Sequence, residues 1–209
     1  MAKILFVMLS IGAIILAAGS SSRLGQTKQL LHINGESLVR RAARAALDGG
    51  CRPVVVVTGA HADAVGAELV DLPVVVSFNS SWSAGMGTSI RSGLAALLAK
   101  DSGIGGAVVL VCDQPRLGAD IVRDLLSAWL AGGKPMGACE YAGTLGPPCC
   151  FDRSMFGSLS QIADADGAKK LLMADPRNVQ TLTWAAGSND IDTPEDWHRL
   201  CESPSGPRA

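Results

Sequence analysis

Aromatic side chains are scarce in this chain of 209 residues, at 4% of the composition with a single tyrosine. Proteins that bind single-stranded nucleic acid stack the bases on aromatic rings, so this composition argues against that function class. An excess of basic charge is also lacking, since the formal net charge is −1 and there is no basic tail. Duplex binding depends on clustered lysine and arginine, and we therefore expect no nucleic-acid partner.

Several patterns typical of metal sites and of nucleophilic catalysis are missing as well. The six cysteines form no C-x-x-C pair, which argues against a structural zinc site, and we interpret them as reduced, buried thiols. The three histidines are widely separated and fit no nucleophile–base pattern, and no G-x-S-x-G string occurs. There is no internal repeat, low-complexity block or linker, so we predict one domain over residues 1–209.

One long apolar run is present, Ile4–Ala18, preceded by a lysine and followed by a Gly-Ser pair. This arrangement resembles a secretory signal, so a secreted or membrane-anchored protein is one alternative. We favour a buried first strand that ends near Ala18, and hence a cytoplasmic protein without a membrane partner, because the motif that follows needs that strand. Residues 1–10 are then a poorly ordered or edge extension, and the tail 203–209 is expected to fray.

The order of apolar patterns predicts an α/β fold. Short β-branched runs typical of buried parallel strands occur at Ala13–Ala17, Val54–Thr58, Val74–Phe78 and Ala107–Cys112. Helical spacing lies between and after them, at Ser37–Leu47, Asp63–Leu69, Thr88–Ala99 and Asp120–Leu130. The second half is less regular, with predicted strands at Met136–Tyr141, Cys149–Phe151 and Gln180–Trp184, and helices at Ser154–Leu159, Ala168–Ala174 and from Pro194 to about Leu200. Alternating strands and helices indicate a single Rossmann-like, three-layer α/β/α domain with a mostly parallel sheet.

The loop after the first strand is the first place to look for a ligand site, because ligands bind at the carboxyl ends of strands in such sheets. From Leu16 to Leu31 it reads LAAGSSSRLGQTKQLL. Small residues let backbone N–H groups approach phosphate oxygens, and Gly19 and Gly25 allow the turns this requires. Arg23 and Lys28 add positive charge. The spacing fits neither a P-loop nor a dinucleotide fingerprint, and it predicts a loop that binds a triphosphate.

This string resembles the L-A-A-G-x-S-x-R-x-G-x-x-K-x-L-L signature of MobA-like nucleotidyltransferases, and most of all the molybdenum cofactor cytidylyltransferases. The likeness extends over about residues 12–199. It implies a nucleotide-diphospho-sugar transferase-like fold and transfer of CMP from CTP to the phosphate of molybdopterin, with release of pyrophosphate. It also implies that Arg23 and Lys28 are catalytic. The implied nucleotide contacts are Leu16, Ala17, Ala18, Gly19, Ser20, Ser22, Arg23, Gly25, Lys28, Asn79, Gly85 and Ser89.

Two acidic segments complete the resemblance. Val111–Pro115 ends a buried strand with an acid, and burying a carboxylate without a partner is costly. The likeness implies that Asp113 holds Mg²⁺, a hard cation that prefers oxygen ligands, and that Asp192 joins it. From spacing alone, Asp190 and Asp192 could exchange these roles.

The segments implied to bind the acceptor depart from the family pattern. Gly146–Phe151 and Asp164–Leu172 lie where the cytidylyltransferases carry G-x-P-x-x-F and G-D-x-G-A-R. The implied acceptor contacts are Gly146, Pro148, Asp166, Gly167 and Lys169. A lysine stands in place of the family arginine, and it can pair with phosphate without offering a bidentate fork. The acceptor is therefore less firmly indicated than the reaction.

Three alternatives stay open beside the secreted protein. GTP could replace CTP, although Ala17-Ala18-Gly19 follows the cytidylyl branch. The acceptor could be another phosphorylated molecule, such as a sugar phosphate or methylerythritol phosphate. The chain could also be a non-catalytic carrier, which like the enzyme would deliver the cofactor transiently to a molybdenum hydroxylase.

Overall fold

The computed structural model of this chain describes residues 10–202. The predicted tail 203–209, and all but the last residue of the predicted extension 1–10, lie outside that range. No helix within the described range combines the length and the apolar character needed to cross a membrane.

A seven-stranded sheet forms the middle of the fold, with the strand order β5-β4-β1-β6-β8-β7-β9. Strand β8 is antiparallel to both of its neighbours and the other neighbouring pairs are parallel, which confirms the prediction of a mostly parallel sheet. The apolar run near the N-terminus supplies β1, a central strand, as we predicted. The strands are β1 (Ile11–Ala17), β4 (Val54–Thr58), β5 (Val75–Phe78), β6 (Gly106–Val111), β7 (Met136–Tyr141), β8 (Thr144–Asp152) and β9 (Val179–Thr183).

Helices cover both faces of this sheet. They are needed on both because β1, β4 and β6 carry apolar side chains on each face, and each face must be buried. One face packs against apolar residues of α1, α2 and α4, and the other against α3, α5 and α6. The three-layer α/β/α architecture is thereby confirmed. The helices are α1 (Leu38–Asp48), α2 (Ala62–Ala67), α3 (Met86–Lys100), α4 (Ala119–Gly132), α5 (Phe156–Ser160), α6 (Ala168–Ala174) and α7 (Pro194–Glu202).

Two elements differ from the predicted ones. Strand β8 begins at Thr144, five residues before the predicted Cys149. The prediction missed this part because Pro147 and Pro148 interrupt it and proline is rarely found inside strands. The chain also forms a short hairpin of β2 (His32–Ile33) and β3 (Glu36–Ser37) that was not predicted.

A third, small apolar cluster joins this hairpin to the C-terminal helix. Its buried members are Leu24, Leu31, Ile33, Leu38 and Ile191, with Trp197 and Leu200 packed against them. The backbone N–H of Ile191 also donates to the carbonyl of Asp113 at 3.0 Å. The cluster therefore holds the glycine loop and the C-terminal acidic segment against the end of β6.

Candidate active site

The glycine loop and the first acidic motif emerge at the same edge of the sheet. Strands β1 and β6 are parallel neighbours, and Leu16 pairs in register with Val111. The loop that begins at Ala18 and the carboxylate of Asp113 therefore lie side by side. The edge is the one at which parallel sheets bind ligands.

A buried glutamine that the sequence analysis did not single out shapes the glycine loop. The Gln29 amide donates to the carbonyls of Ala17, at 3.2 Å, and Gly19, at 2.7 Å. Its carbonyl oxygen accepts from the Ser21 hydroxyl, which in turn accepts from the backbone N–H of Lys28 at 3.0 Å. Gly25 adopts a positive φ of 73°, as its predicted turn requires. The other turn lies at Ser21, whose φ is 56°, and not at Gly19 as we predicted.

Two cations and two acids meet at the mouth of this loop. The Lys28 ammonium lies 2.6 Å from Asp113 Oδ2 and 3.1 Å from Asp192 Oδ1. Arg23 contacts the other oxygen of Asp192 at 3.2 Å. Asp113 and Asp192 are 79 positions apart in sequence, yet one lysine nitrogen touches both. Four residues predicted from the sequence thus converge on one site.

The charges at this site perturb one another. Burial opposes the charge on Lys28, but the ion pairs with Asp113 and Asp192 outweigh it and raise the pKa of the ammonium. The third acid behaves differently: burial and the charges of Asp113 and Asp192 raise the pKa of Asp190 to about 6. The ion pairs of Lys28 are made with Asp113 and Asp192, and Arg23 also pairs with Asp192. Of the two interchangeable acids, Asp192 is therefore the one that faces the cations.

Gln114 is a second buried polar side chain whose role the sequence did not indicate. Its amide nitrogen lies within hydrogen-bonding distance of the Tyr141 hydroxyl and of the carbonyls of Pro147 and Gly187, at 3.0–3.3 Å. It therefore ties the ends of β6, β7 and β8 to the segment that precedes Asp190.

A cleft of about 260 Å³ opens beside the cations. The predicted site residues that line it are Leu16, Ala18, Gly19, Lys28, Gly85, Ser89 and Asp113. Gln29, Trp82, Met86, Val111 and Cys112 complete the lining. The cleft lining does not include the predicted nucleotide contacts Ala17, Ser20, Ser22, Gly25 and Asn79. Arg23 and Asp192 do not line it either, but they belong to the ion pairs at its mouth.

The segment from Asn79 to Ser89 forms the opposite wall. The Asn79 amide donates to the hydroxyls of Thr88 and Ser89, and its oxygen accepts from the Ser81 backbone. Its side chain is buried and shapes the loop from within. At the start of α3, the Gly87 N–H donates to the carbonyl of Asp164 at 2.9 Å. Part of this helix terminus is therefore already occupied by the chain itself.

The residues predicted to bind the acceptor do not line the cleft. Gly146 and Pro148 are buried in β8, next to the Pro147 carbonyl that faces Gln114. On the other side, Asp166 forms an ion pair with Lys170, and Lys169 is exposed to solvent. Gly167 lies against Met86 at the rim of the cleft.

The two acids at the mouth suit a divalent cation, since a single atom, the Lys28 nitrogen, already lies within 2.6 and 3.1 Å of both. In residues 10–202, no three His, Cys, Asp or Glu side chains are grouped to hold a metal ion. Mg²⁺ usually takes one or two carboxylates and completes its shell with water and substrate phosphates. The donor set therefore fits a cation that is shared with a phosphate ligand.

Comparison with known proteins agrees with this geometry, since residues 13–179 match the MobA-like NTP transferase domain. The chain belongs to the MobA-like NTP transferase family. The matched region contains β1, the glycine loop, the segment from Asn79 to Ser89 and Asp113. Asp192 lies beyond it, and its position is known from the structure.

Two characterised relatives resemble this MobA-like NTP transferase along most of their length. Nicotine blue oxidoreductase of Paenarthrobacter nicotinovorans is 33% identical over 198 residues, which is 90% of this chain and 94% of the relative. Purine catabolism protein PucB of Bacillus subtilis is 28% identical over 196 residues, 88% of this chain and 92% of the relative.

A solved structure is similar in shape as well. Rv0371c from Mycobacterium tuberculosis H37Rv superposes with a TM-score of 0.79 at 28% identity, over 93% of this MobA-like NTP transferase and 99% of Rv0371c. The same mycobacterial protein has also been solved as a complex with manganese, at a TM-score of 0.74 and 27% identity.

Proposed function

We propose that this protein transfers CMP from CTP to the phosphate of a molybdopterin-type cofactor and releases pyrophosphate. The observation that carries the proposal is the meeting of Lys28, Arg23, Asp113 and Asp192 at the mouth of a cleft built by a glycine loop. Two cations suit a triphosphate, and two acids suit the divalent cation that accompanies it.

The reaction needs positioning more than proton transfer. An oxygen of the acceptor phosphate, already ionised near neutral pH, attacks the α-phosphorus of CTP; the bond to the β-phosphate oxygen breaks, and pyrophosphate leaves. No general base is required, and within residues 10–202 no histidine lines the cleft. Catalysis of this kind rests on charge neutralisation and alignment.

Each group at the mouth has a part in this scheme. The loop amides and Arg23 hold the β- and γ-phosphates, while Lys28 neutralises charge that develops on the α-phosphate. When bound, Mg²⁺ is held by Asp113 and Asp192 and supplies further neutralisation. The manganese complex of the related Rv0371c supports the use of a divalent cation.

The nucleotide base is placed against the loop backbone. Ala18 and Gly85 line the cleft and contribute main-chain groups, and Ser89 contributes a hydroxyl. Ala17 does not line the cleft, and its carbonyl accepts from Gln29. Ser20, Ser22 and Gly25 support the phosphate side of the loop, and Asn79 holds the opposite wall from within. The Ala-Ala-Gly opening favours CTP over GTP.

The proposed acceptor contacts come from two segments, Gly146–Pro148 within β8 and Asp166–Lys169 at the start of α6. Lys169 is exposed and can approach a phosphate, and Gly167 packs closely against Met86, since a Cβ there would lie 3.0 Å from the Met86 sulfur. We propose a cytoplasmic enzyme that hands its product to a molybdenum hydroxylase.

A turnover screen tests this proposal. Purified protein with Mg²⁺ is given CTP or GTP together with molybdenum cofactor, a sugar phosphate or methylerythritol phosphate, and pyrophosphate release is followed. We expect release with CTP and molybdenum cofactor, and a fall of roughly 10²–10³-fold in turnover for Asp113→Asn. Preference for another acceptor or for GTP would reassign the substrate. Mg²⁺-dependent CTP binding without any pyrophosphate release would identify a carrier.

A redox activity is the second candidate, because the relative that is 33% identical is named an oxidoreductase. A separate assay distinguishes it: reduction of a dye at the expense of a reduced nicotinamide cofactor, unaffected by Asp113→Asn, would favour this alternative. The ion-paired acids at the cleft have no evident purpose in such a reaction.

A further inference from the structure

The Lys28 ammonium occupies the place between the two acids that the proposed function gives to a divalent cation. It lies 2.6 Å from Asp113 Oδ2 and 3.1 Å from Asp192 Oδ1. These are direct ion pairs, and the lysine side chain is only 18% exposed. The same lysine is needed on the triphosphate during transfer, so one ammonium has two partners that it cannot serve at once.

Electrostatics explains why the ligand-free protein needs a cation there. The carboxylates of Asp113 and Asp192 lie close together, because one lysine nitrogen contacts both. Asp113 is 21% exposed and would be poorly solvated without a partner. Removing one member of a partly buried ion pair leaves an uncompensated charge. An ammonium built into the loop prevents this before any ligand arrives.

We propose that Lys28 is a placeholder for the divalent cation. Its ammonium pairs with the two acids in the ligand-free protein and leaves them when metal and triphosphate bind together. This inference rests on the proposed function, because it assigns the acids to the metal and the lysine to phosphate. On binding of metal and triphosphate, the Lys28 ammonium would leave Asp113 and Asp192 to the metal and would donate to the triphosphate instead. Metal alone and nucleotide alone then bind weakly, and the binding of each strengthens the binding of the other.

The local structure allows this exchange without backbone movement. The backbone N–H of Lys28 donates to the Ser21 hydroxyl. The side chain of the next residue, Gln29, donates to the carbonyl of Gly19. Lys28 and Asp113 both line the cleft, so the lysine side chain can turn from the acid to a ligand in the cleft by rotation of its flexible stem. Only side-chain torsions change.

Manganese titrations in the absence of nucleotide, followed by electron paramagnetic resonance, test the placeholder. We expect Lys28→Met to bind free Mn²⁺ roughly 5–150-fold more tightly than the natural protein, the range typical of coupled sites. Lys170→Met removes the same charge from a surface ion pair with Asp166 and is the matched control, with unchanged affinity. In the natural protein CTP should strengthen Mn²⁺ binding by a similar factor, and this gain should be largely lost in Lys28→Met.

Three further results decide between the possible failures. Lys28→Gln, which keeps the length but not the charge, should also bind Mn²⁺ more tightly, and it covers the case in which the methionine variant does not fold. Equal or weaker Mn²⁺ binding by the folded lysine variants, with weaker binding by Asp113→Asn, would overturn the placeholder alone. Unchanged Mn²⁺ binding by Asp113→Asn would instead remove the metal from these acids and the proposed function with it.

Discussion

At the scale of single residues, Gln29 decides the conformation of the glycine loop. It is 1% exposed and bonds two carbonyls and one hydroxyl of that loop. Gln29→Leu keeps the volume but leaves those groups without partners, so we expect a loss of about 1–3 kcal/mol in the free energy of unfolding. The KM for nucleotide should rise as well. Urea unfolding and steady-state kinetics measure the two effects.

The same loop provides the control for that change. Gln26 is exposed, and Gln26→Leu should alter stability by less than about 0.5 kcal/mol. If both leucine variants behaved alike, the buried hydrogen bonds of Gln29 would not be what shapes the loop.

The cysteines give a second prediction at this scale. Five of the six are buried, and Cys201 is partly exposed. Burial raises the pKa of Cys51, Cys112 and Cys139 to about 12. Thiol reagents attack the thiolate, so the folded protein should react quickly at Cys201 alone. Ellman's reagent should count one fast thiol in the native state and six after denaturation, and Cys201→Ser should remove the fast one. Rapid native labelling of more than one thiol would contradict this.

The sequence motifs predicted the charged residues of the site but not its buried amides, and the difference has a physical reason. Arg23, Lys28, Asp113 and Asp192 stand out because charged groups beside small residues or at strand ends have few structural uses. Gln29 and Gln114 do not stand out, since their partners are mostly backbone carbonyls that only folding brings near. A neutral amide in a sequence gives no sign of whether it faces water or carbonyls.

At the scale of elements, the start of α3 and the segment before α6 form one unit. Gly85 has a φ of 134°, and a Cβ there would lie 2.2 Å from the Asp164 carbonyl oxygen. The Gly87 N–H donates to that same carbonyl, and the Arg91 side chain bonds the Ile162 carbonyl and the Asp164 carboxylate. One wall of the cleft is therefore attached to the segment proposed to bind the acceptor.

Gly85→Ala tests this attachment. The positive φ alone costs about 1–3 kcal/mol for a residue with a side chain, and the clash with backbone must displace Asp164 and Ala165. We expect lower thermal stability and higher KM values for nucleotide and acceptor together. Gly157→Ala in α5 has open space and should be neutral or stabilising by up to about 1 kcal/mol. A Gly85→Ala variant that changed the KM of one substrate alone would separate the two segments.

Helices and strands were predictable where apolar residues recur at a regular spacing over a long enough stretch of sequence. Strands β1, β4 and β6 and helices α1 and α4 follow that period, and the structure has them close to their predicted bounds. The hairpin β2–β3 was missed although its signal was present: Asn34-Gly35 joins two very short strands, and both residues adopt positive φ. A strand of two residues is too short to show the alternation of polar and apolar side chains by which strands are recognised in a sequence.

At the scale of the whole molecule, the site depends on a core separate from the two that cover the sheet. Ile191, 1% exposed, packs with Leu24 and Leu31, which lie next to Arg23 and near Lys28 in the loop. It also stands between Asp190 and Asp192 and donates its N–H to Asp113. The distance between the acids is thus maintained by apolar packing as much as by the ion pairs.

Ile191→Ala should therefore damage the site as well as the fold. Truncating a buried isoleucine costs about 2–5 kcal/mol of stability wherever it lies. Ile104→Ala is the matched control, because Ile104 is fully buried but precedes β6 at the opposite end of the sheet. Both variants should lose similar stability in chemical denaturation. Only Ile191→Ala should also weaken Mn²⁺ binding, by roughly 10–100-fold as for changes behind metal ligands. Equal Mn²⁺ affinity in the two variants would mean that the ion pairs with Lys28 and Arg23, and not this third cluster, keep Asp192 in place.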